Sequence, residues 1–120
     1  MINKIRDQLK NLVAINSAIA EADEEIQMIQ IDLNIHGHNK KHVSALNELK
    51  QKIIYYRYQK VKIYTVMYDK IEALEDEQEK RLLKYRYIRG YRWEDIADKM
   101  GYSIRQVFNI HKNALYSLEN

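Results

Sequence analysis

The sequence predicts an all-α protein with a long, coiled-coil-like N-terminal helical hairpin and a C-terminal helix-turn-helix unit. Its 120 residues include no proline and only three glycines, and these two residue types are the main breakers of helices. Gly37, Gly90 and Gly101 each stand where an apolar helical periodicity stops. We therefore expect two domains, a hairpin over residues 1–75 and a helix-turn-helix domain over residues 76–120.

The hairpin is predicted from apolar stripes on two long segments. In the first, over about residues 2–34, apolar side chains recur at steps of three and four with one irregularity, which is the spacing of a coiled-coil seam. A polar turn over 34–42 leads to a second helix over 41–74. These stripes are longer than the C-terminal unit could cover, so the two helices pack on each other, on a second copy of the chain, or both. The seam of the first helix consists of Ile2, Ile5, Leu9, Leu12, Ile15, Ile19, Ala22, Ile26, Ile29 and Leu33.

Three further helices are predicted after the hairpin. Asp76 and Glu79 have the spacing of a capping box, so a helix is expected over 76–89. The remaining apolar patterns predict helices over 93–100 and 104–118. No segment alternates polar and apolar residues strongly enough to predict a strand.

The last two helices have the pattern of a helix-turn-helix, in which a tight turn joins two crossed helices. Ala97 supplies the small residue where the helices meet, and Gly101 can take the left-handed conformation that the turn needs. Ser103 is expected to cap the second helix, with Gln106 as its capping-box partner. We interpret Gln106 as a cap in preference to a base reader.

The outward face of the second helix is predicted to meet DNA. Arg105 suits the edge of guanine and Asn109 that of adenine, while Lys112 suits a phosphate. Ile104 and Phe108 suit thymine methyl groups, or else a protein partner. The predicted DNA-binding residues are Ser103, Ile104, Arg105, Gln106, Phe108, Asn109 and Lys112.

Residues 81–118, RLLKYRYIRGYRWEDIADKMGYSIRQVFNIHKNALYSL, resemble region 4 of sigma-70-type factors. They are most similar to the region-4-like phage transcriptional regulators of the ArpU and RinA type, which activate late genes. The resemblance implies a sequence-specific regulator of phage or prophage genes that reads bases with Ile104, Arg105 and Asn109. The matching elements are Lys84 to Tyr87, Gly90, Trp93 to Ala97, Gly101 to Ser103, Arg105 to Val107, and Ala114 with Leu115.

The chain departs from that pattern at two positions. Arg92 stands where the family tends to place a serine or threonine cap. Ile104 stands where primary sigma factors place an arginine, so the chain is not expected to read an ordinary promoter −35 element. It also has no segment like region 2, which opens promoters, and a stand-alone sigma factor is not expected.

Charge is unevenly distributed along the chain. The net charge is +3 at pH 7, but residues 40–70 carry eight basic and two acidic groups and residues 80–120 carry nine basic and four acidic groups. Residues 71–79, between these blocks, hold five acids and no base. Two basic blocks around an acidic segment are compatible with a polyanionic partner, here double-stranded DNA.

Two other functions compete with gene regulation. A DNA-packaging recognition protein, comparable to a small terminase subunit, also joins a helix-turn-helix to oligomerising helices. Alternatively, the region-4-like unit docks on RNA polymerase without reading DNA. We expect a homodimer or a higher homo-oligomer in all cases; a dimer would favour regulation, and a ring of more than four subunits would favour packaging.

Other classes of site are not expected. The chain has no cysteine, which excludes disulfides, zinc sites with Cys ligands and Cys nucleophiles. His36, His38 and His42 cluster around a turn, but no acid stands near them, and a zinc site is not predicted. No nucleophile with a base and no Gly-rich phosphate loop can be found, so neither enzymatic activity nor a cofactor is expected. Without a signal peptide or a membrane-spanning run, we expect a cytoplasmic protein that does not enter a membrane.

Two groups of aromatic residues are interpreted as structural. One interpretation of the lysine-rich block 50–62, which contains Tyr55, Tyr56 and Tyr58, is contact with DNA phosphates. We prefer to place these rings in the hairpin core, with the lysines in water. A second group is assigned to helix packing in the C-terminal unit in preference to stacking on bases. It consists of Tyr85, Tyr87, Tyr91 and Trp93.

Overall fold

The computed structural model describes residues 4–120, and this part of the chain is 87% helix with no strand. The predicted all-α class is confirmed. Two long helices that pack together are followed by three shorter ones, with a π-helical turn between the third and the fourth. The elements are α1 (Lys4–His36), α2 (Lys40–Glu72), α3 (Glu77–Leu83), the π turn (Lys84–Ile88), α4 (Trp93–Met100) and α5 (Ile104–Glu119).

The turn between α1 and α2 is shorter than the predicted segment 34–42, since only residues 37–39 lie outside the helices. Gly37 has φ +83°, and its N–H donates to the carbonyl of Leu33. This hydrogen bond closes the last turn of α1. Asn39 precedes α2 and caps its first turn, because its side-chain oxygen accepts from the N–H of Lys41 at 2.8 Å. The polar residues on either side belong to helices because an exposed polar side chain does not by itself end a helix.

The chain divides into two compact units that cut across both long helices. One unit is residues 14–61, and the other, as far as it is described, combines residues 4–13 with residues 62–120. We placed the division between the hairpin and the C-terminal domain at residue 75 from sequence patterns, not from contacts. As a division between two functions it stays a prediction.

The unit of residues 14–61 is a helical hairpin with few buried side chains. Ala22 and Leu33 of α1 and Leu46 and Ile53 of α2 are buried in it. Two of the tyrosines that we placed in the hairpin core are not there, because Tyr55 and Tyr58 are 58% and 61% exposed. Ile53 occupies the buried position, and Tyr55, two residues further, lies about half a helical turn away from it.

The second unit is built around the core that holds α5. Its buried side chains come from every helix of the unit, including the two ends of the hairpin helices. Burial of a large aliphatic side chain contributes about 1.5–3 kcal/mol relative to leaving it exposed, so the hairpin ends are an integral part of this core. The buried residues are Leu9, Leu12, Met67, Ile71, Leu82, Leu83, Tyr87, Ile96, Ala97, Val107, Ala114 and Leu118.

The predicted helix over 76–89 is present, but it is not α-helical throughout. Asp76 caps it as expected, since its carboxylate accepts from the N–H of Glu79 at 3.0 Å. From Lys84 the helix widens into the π turn, in which the N–H of Arg89 donates to the carbonyl of Lys84 at 3.0 Å. A single π turn shifts the side chains that follow it around the helix axis. Arg86 and Tyr87 lie within this turn.

No helix in the described part of the chain, residues 4–120, is long and apolar enough to cross a membrane.

A substitution in α2 tests whether the hairpin end supports the C-terminal helices. Ile71 is fully buried, so Ile71→Ala is expected to lower the free energy of unfolding by about 2–5 kcal/mol, as measured by urea denaturation. Val66, half-exposed on the same helix, provides the matched control: Val66→Ala should cost less than about 0.5 kcal/mol. Equal losses in the two variants would contradict the shared core.

Candidate nucleic-acid interface

A tight corner between α4 and α5 sets the direction of α5. Gly101 has φ +71° and ψ +30°, the left-handed conformation predicted for it. The N–H of Tyr102 donates to the carbonyl of Ala97 at 3.0 Å, which closes the end of α4. Ala97 is buried at this corner, where a small side chain lets two helices approach. The corner therefore depends on the two residues that the sequence assigned to it.

The first turn of α5 is held by a reciprocal cap. The hydroxyl of Ser103 accepts from the N–H of Gln106 at 3.2 Å, and the side-chain oxygen of Gln106 accepts from the N–H of Ser103 at 2.8 Å. The predicted capping box is confirmed. Because its oxygen is engaged with the backbone, Gln106 serves the end of the helix.

The start of α4 lacks such a cap, as the sequence predicts. Arg92 occupies the N-cap position and makes no side-chain hydrogen bond to the helix end. Its guanidinium instead lies 3.6 Å from the carboxylate of Asp95 in the first turn.

The exposed side of α5 carries a polar stripe. Arg105, Asn109 and Lys112 are all exposed and follow one another at steps of four and three residues, so they share one face. Val107, Ala114 and Leu118 are buried on the opposite side. Tyr116, four residues after Lys112, is 71% exposed and extends the stripe. Sequence reasoning missed Tyr116, although the continued spacing could have revealed it.

The two apolar members of the predicted face have different surroundings. Ile104 is partly buried and packs against the core. Phe108 remains 48% exposed, but its ring meets that of Trp93 edge to face, with centroids 5.3 Å apart. The outward face is thus polar along one line and aromatic beside it.

A cluster around His111 fixes the middle of α5, and sequence reasoning did not find it. The hydroxyl of Tyr87 lies 2.6 Å from Nε2 of His111, and the ring of Trp93 packs against the imidazole with centroids 4.8 Å apart. Arg86 also lies over the ring of Trp93, with its guanidinium carbon 4.4 Å from the ring centre, and it donates to the carbonyl of Tyr91 at 3.1 Å. The assignment of these aromatic residues to helix packing agrees with their burial: Tyr87 is buried, and Tyr91 and Trp93 are partly buried.

Burial keeps His111 neutral. Burial, together with the smaller effect of the positive charges of Arg86 and Arg6, lowers the pKa of His111 to about 4. A neutral imidazole has one acceptor nitrogen and one donor, so it can share a hydrogen bond with the hydroxyl of Tyr87. Burial also raises the pKa of Tyr87. The pair is therefore uncharged near neutral pH.

Two ion pairs secure the helix ends of this unit. Arg6 at the start of α1 pairs with Glu119 at the end of α5. Lys84 pairs with Glu72, and the hydrogen bond from Lys84 lowers the pKa of Glu72. Since these pairs are partly exposed, each contributes little to stability, and their main effect is on position.

The histidines near the hairpin turn have an acidic neighbour that the sequence reasoning overlooked. A carboxylate oxygen of Asp32 lies 3.0 Å from Nδ1 of His42, and the other lies 3.8 Å from Nε2 of His36. One turn of helix separates Asp32 from His36, which is why they meet. Even so, no group of three or more His, Cys, Asp or Glu side chains in residues 4–120 is placed to hold a metal ion.

Comparison of the chain with protein-family models, with curated proteins and with solved structures finds no match in any of the three.

Lowering the pH is expected to destabilise the protein through His111. The unfolded chain binds a proton on this residue below about pH 6.5, whereas the folded protein does so only below about pH 4. The free energy of unfolding should therefore fall between these two values, by about 1–2 kcal/mol after allowance for the part of the ring that water reaches.

The variant His111→Gln isolates this contribution from that of the carboxylates. We expect its free energy of unfolding to fall less steeply than that of the wild type between pH 6.5 and pH 4.5, measured by urea denaturation at each pH. Parallel curves for the two proteins would contradict the assignment.

The capping role of Gln106 is also testable. Gln106→Ala should lower the free energy of unfolding by about 0.5–1.5 kcal/mol, because the hydrogen bond from the N–H of Ser103 to the Gln106 side chain is lost while Ser103 still caps the helix. If Gln106 does not read a base, the preferred DNA sequence, measured by selection from a random pool, should stay the same. A changed preference at one base pair would show that Gln106 reads DNA after all.

Proposed function

We propose that the protein is a sequence-specific transcriptional regulator that binds double-stranded DNA with α5 in the major groove. One observation carries the proposal: Arg105, Asn109 and Lys112 form an exposed stripe on a helix whose start is capped and whose opposite face is buried. In a helix-turn-helix, the N-terminal residues of the second helix contact base edges. The stripe begins two residues after the Ser103 cap, where such contacts are made.

The side chains of this stripe match the chemistry of DNA. A guanidinium can donate two hydrogen bonds to guanine, and a carboxamide can pair with adenine, so Arg105 and Asn109 would specify sequence. Lys112, further along the helix, would bind a phosphate and position the protein without reading sequence. The exposed part of Phe108 would contact a thymine methyl group. Ile104 contributes an apolar edge beside it.

Charge supports a polyanionic partner. Residues 80–120 carry nine basic and four acidic groups, which attracts DNA irrespective of its sequence. The low pKa of His111 means that this balance does not change near neutral pH.

The wider role follows from the resemblance to region 4. The regulator would act on phage or prophage late genes in a bacterial cytoplasm, without a cofactor or enzymatic activity. Any contact with RNA polymerase would involve the same unit. It would bind DNA as a homodimer or higher homo-oligomer, because two recognition helices about 34 Å apart reach successive turns of one DNA face.

DNA selection followed by binding measurements tests the proposal. A selected site should lose about 1–3 kcal/mol of binding free energy with Arg105→Ala and with Asn109→Ala, and each variant should relax specificity at one base pair. Lys112→Ala should weaken binding to all sequences alike and reduce the slope of log affinity against log salt by about one unit.

The matched control is Lys10→Ala, which removes one exposed positive charge from the acid-rich N-terminal region. Its effect on the salt slope should be negligible. If no sequence is enriched from random or phage-genomic DNA while RNA polymerase is still bound, the protein is a docking module and the proposal is wrong.

A further inference from the structure

We propose that residues 14–61 form an assembly module in which copies of this chain pack side by side, the α1 edge of one hairpin against the α2 edge of the next. The inference names the surfaces for the self-association that accompanies the proposed function. It does not depend on DNA binding.

The two arms of the hairpin carry opposite charge. Its α1 arm, residues 14–36, has five acids and no lysine or arginine, whereas its α2 arm, residues 40–61, has six basic residues and one acid. Each arm therefore presents a surface that attracts the other arm of a second copy. The acids of the first arm are Glu21, Asp23, Glu24, Glu25 and Asp32; the basic residues of the second are Lys40, Lys41, Lys50, Lys52, Arg57 and Lys60.

Large apolar side chains lie on the outer edge of both arms. On α1, Ile31 and Ile35 are 58% and 68% exposed, and each lies two residues from buried Leu33, about half a helical turn away. On α2, Tyr55 lies in the same way opposite buried Ile53. These side chains therefore point away from the partner arm, where a single hairpin cannot cover them. Ile31 and Ile35, one helical turn apart on the same edge, form the kind of exposed apolar surface that marks an interaction site.

The two edges also complement each other in size. If neighbouring hairpins have their turns at the same end, residues equally far from the turn stand level with each other. Ile31 then faces Ala45, in a shallow depression that also involves Ser44 and Lys41. Tyr55 faces the small side chain of Ala20 and the carboxylate of Glu21.

The same alignment pairs the charges. Glu24 on α1 stands level with Lys52 on α2, and both are exposed. A pairing of like edges would instead bring acid-rich α1 against α1, or lysine-rich α2 against α2, and like charges oppose such contacts.

Contact between unlike edges has a consequence for the number of copies. Such an interface is heterologous, so each copy has one free edge of each kind after binding a neighbour. Assembly then continues beyond two copies until it closes into a ring or remains an open array. A two-fold dimer through these edges would need like edges to meet.

Sedimentation velocity without DNA tests the assembly, with helicity from circular dichroism as the check on folding. The wild type should form species larger than a dimer at micromolar concentration. Glu21→Lys with Glu24→Lys reverses the charge at two positions of the α1 edge, and Lys41→Glu with Lys52→Glu reverses it at two positions of the α2 edge. Each double variant alone should associate at least tenfold more weakly, because the side chains at the level positions 24 and 52 then carry the same sign and the attraction between the two arms falls.

Mixing the two double variants gives the decisive result. In an equimolar mixture, the two unchanged edges pair with each other, and the two substituted edges again have opposite charges at positions 24 and 52, so assembly should return. A matched control, Lys10→Glu with Lys70→Glu, changes two exposed lysines outside residues 14–61 and should assemble like the wild type. A monomeric or strictly dimeric wild type would overturn the inference, as would a mixture that stays dissociated.

DNA binding by the same proteins separates this inference from the proposed function. If the wild type does not assemble as described but a DNA site is still enriched, only the assembly module is overturned. If the wild type assembles as described but no DNA site is enriched, only the proposed DNA-reading role is overturned. A closed ring of more than four copies that still selects a DNA site would favour DNA packaging over gene regulation.

Discussion

The direction of α5 depends on one shared core. Val107, Ala114 and Leu118 on its inner face are buried among side chains from α3, α4 and the ends of both hairpin helices. Because α5 is fastened along that face, the opposite stripe of polar side chains has a defined orientation. A helix-turn-helix of about 40 residues alone would bury little apolar surface. Met67 and Ile71 of α2, with Leu9 and Leu12 of α1, enlarge this core.

Polar and aromatic groups also help to fix the position of α5. The neutral His111 meets Tyr87 and Trp93 under the middle of α5, and the π turn from Lys84 to Ile88 carries Arg86 and Tyr87 into this cluster. A cluster that is uncharged at neutral pH costs little to bury, since a partnered neutral group has a far smaller desolvation penalty than a charge. Protonation of His111 would change that balance, which links acid conditions to the helix that carries the exposed polar stripe.

The hairpin of residues 14–61 differs from this unit because more of its large apolar side chains are exposed. Buried residues are few, and large apolar side chains such as Ile35 and Tyr55 remain exposed beside charged ones. Opposite charge on the two arms makes each edge a match for the other arm of a second copy. Reading DNA and assembling copies would then be tasks of different units, so substitutions can affect one and spare the other.

The sequence by itself determined the helical class and the residues at the corner between α4 and α5. No proline, glycines at three boundaries, and short-range caps such as Ser103 with Gln106 are local features, and local rules describe them well. Tertiary structure alone decided which apolar side chains are covered. Tyr55 and Tyr58 fit an apolar stripe in the sequence but lie outside the hairpin core, and the ends of α1 and α2 joined the core of α5. The cluster of His111 with Tyr87 brings together residues far apart in the chain, and its low pKa depends on burial, which no spacing along the sequence reveals.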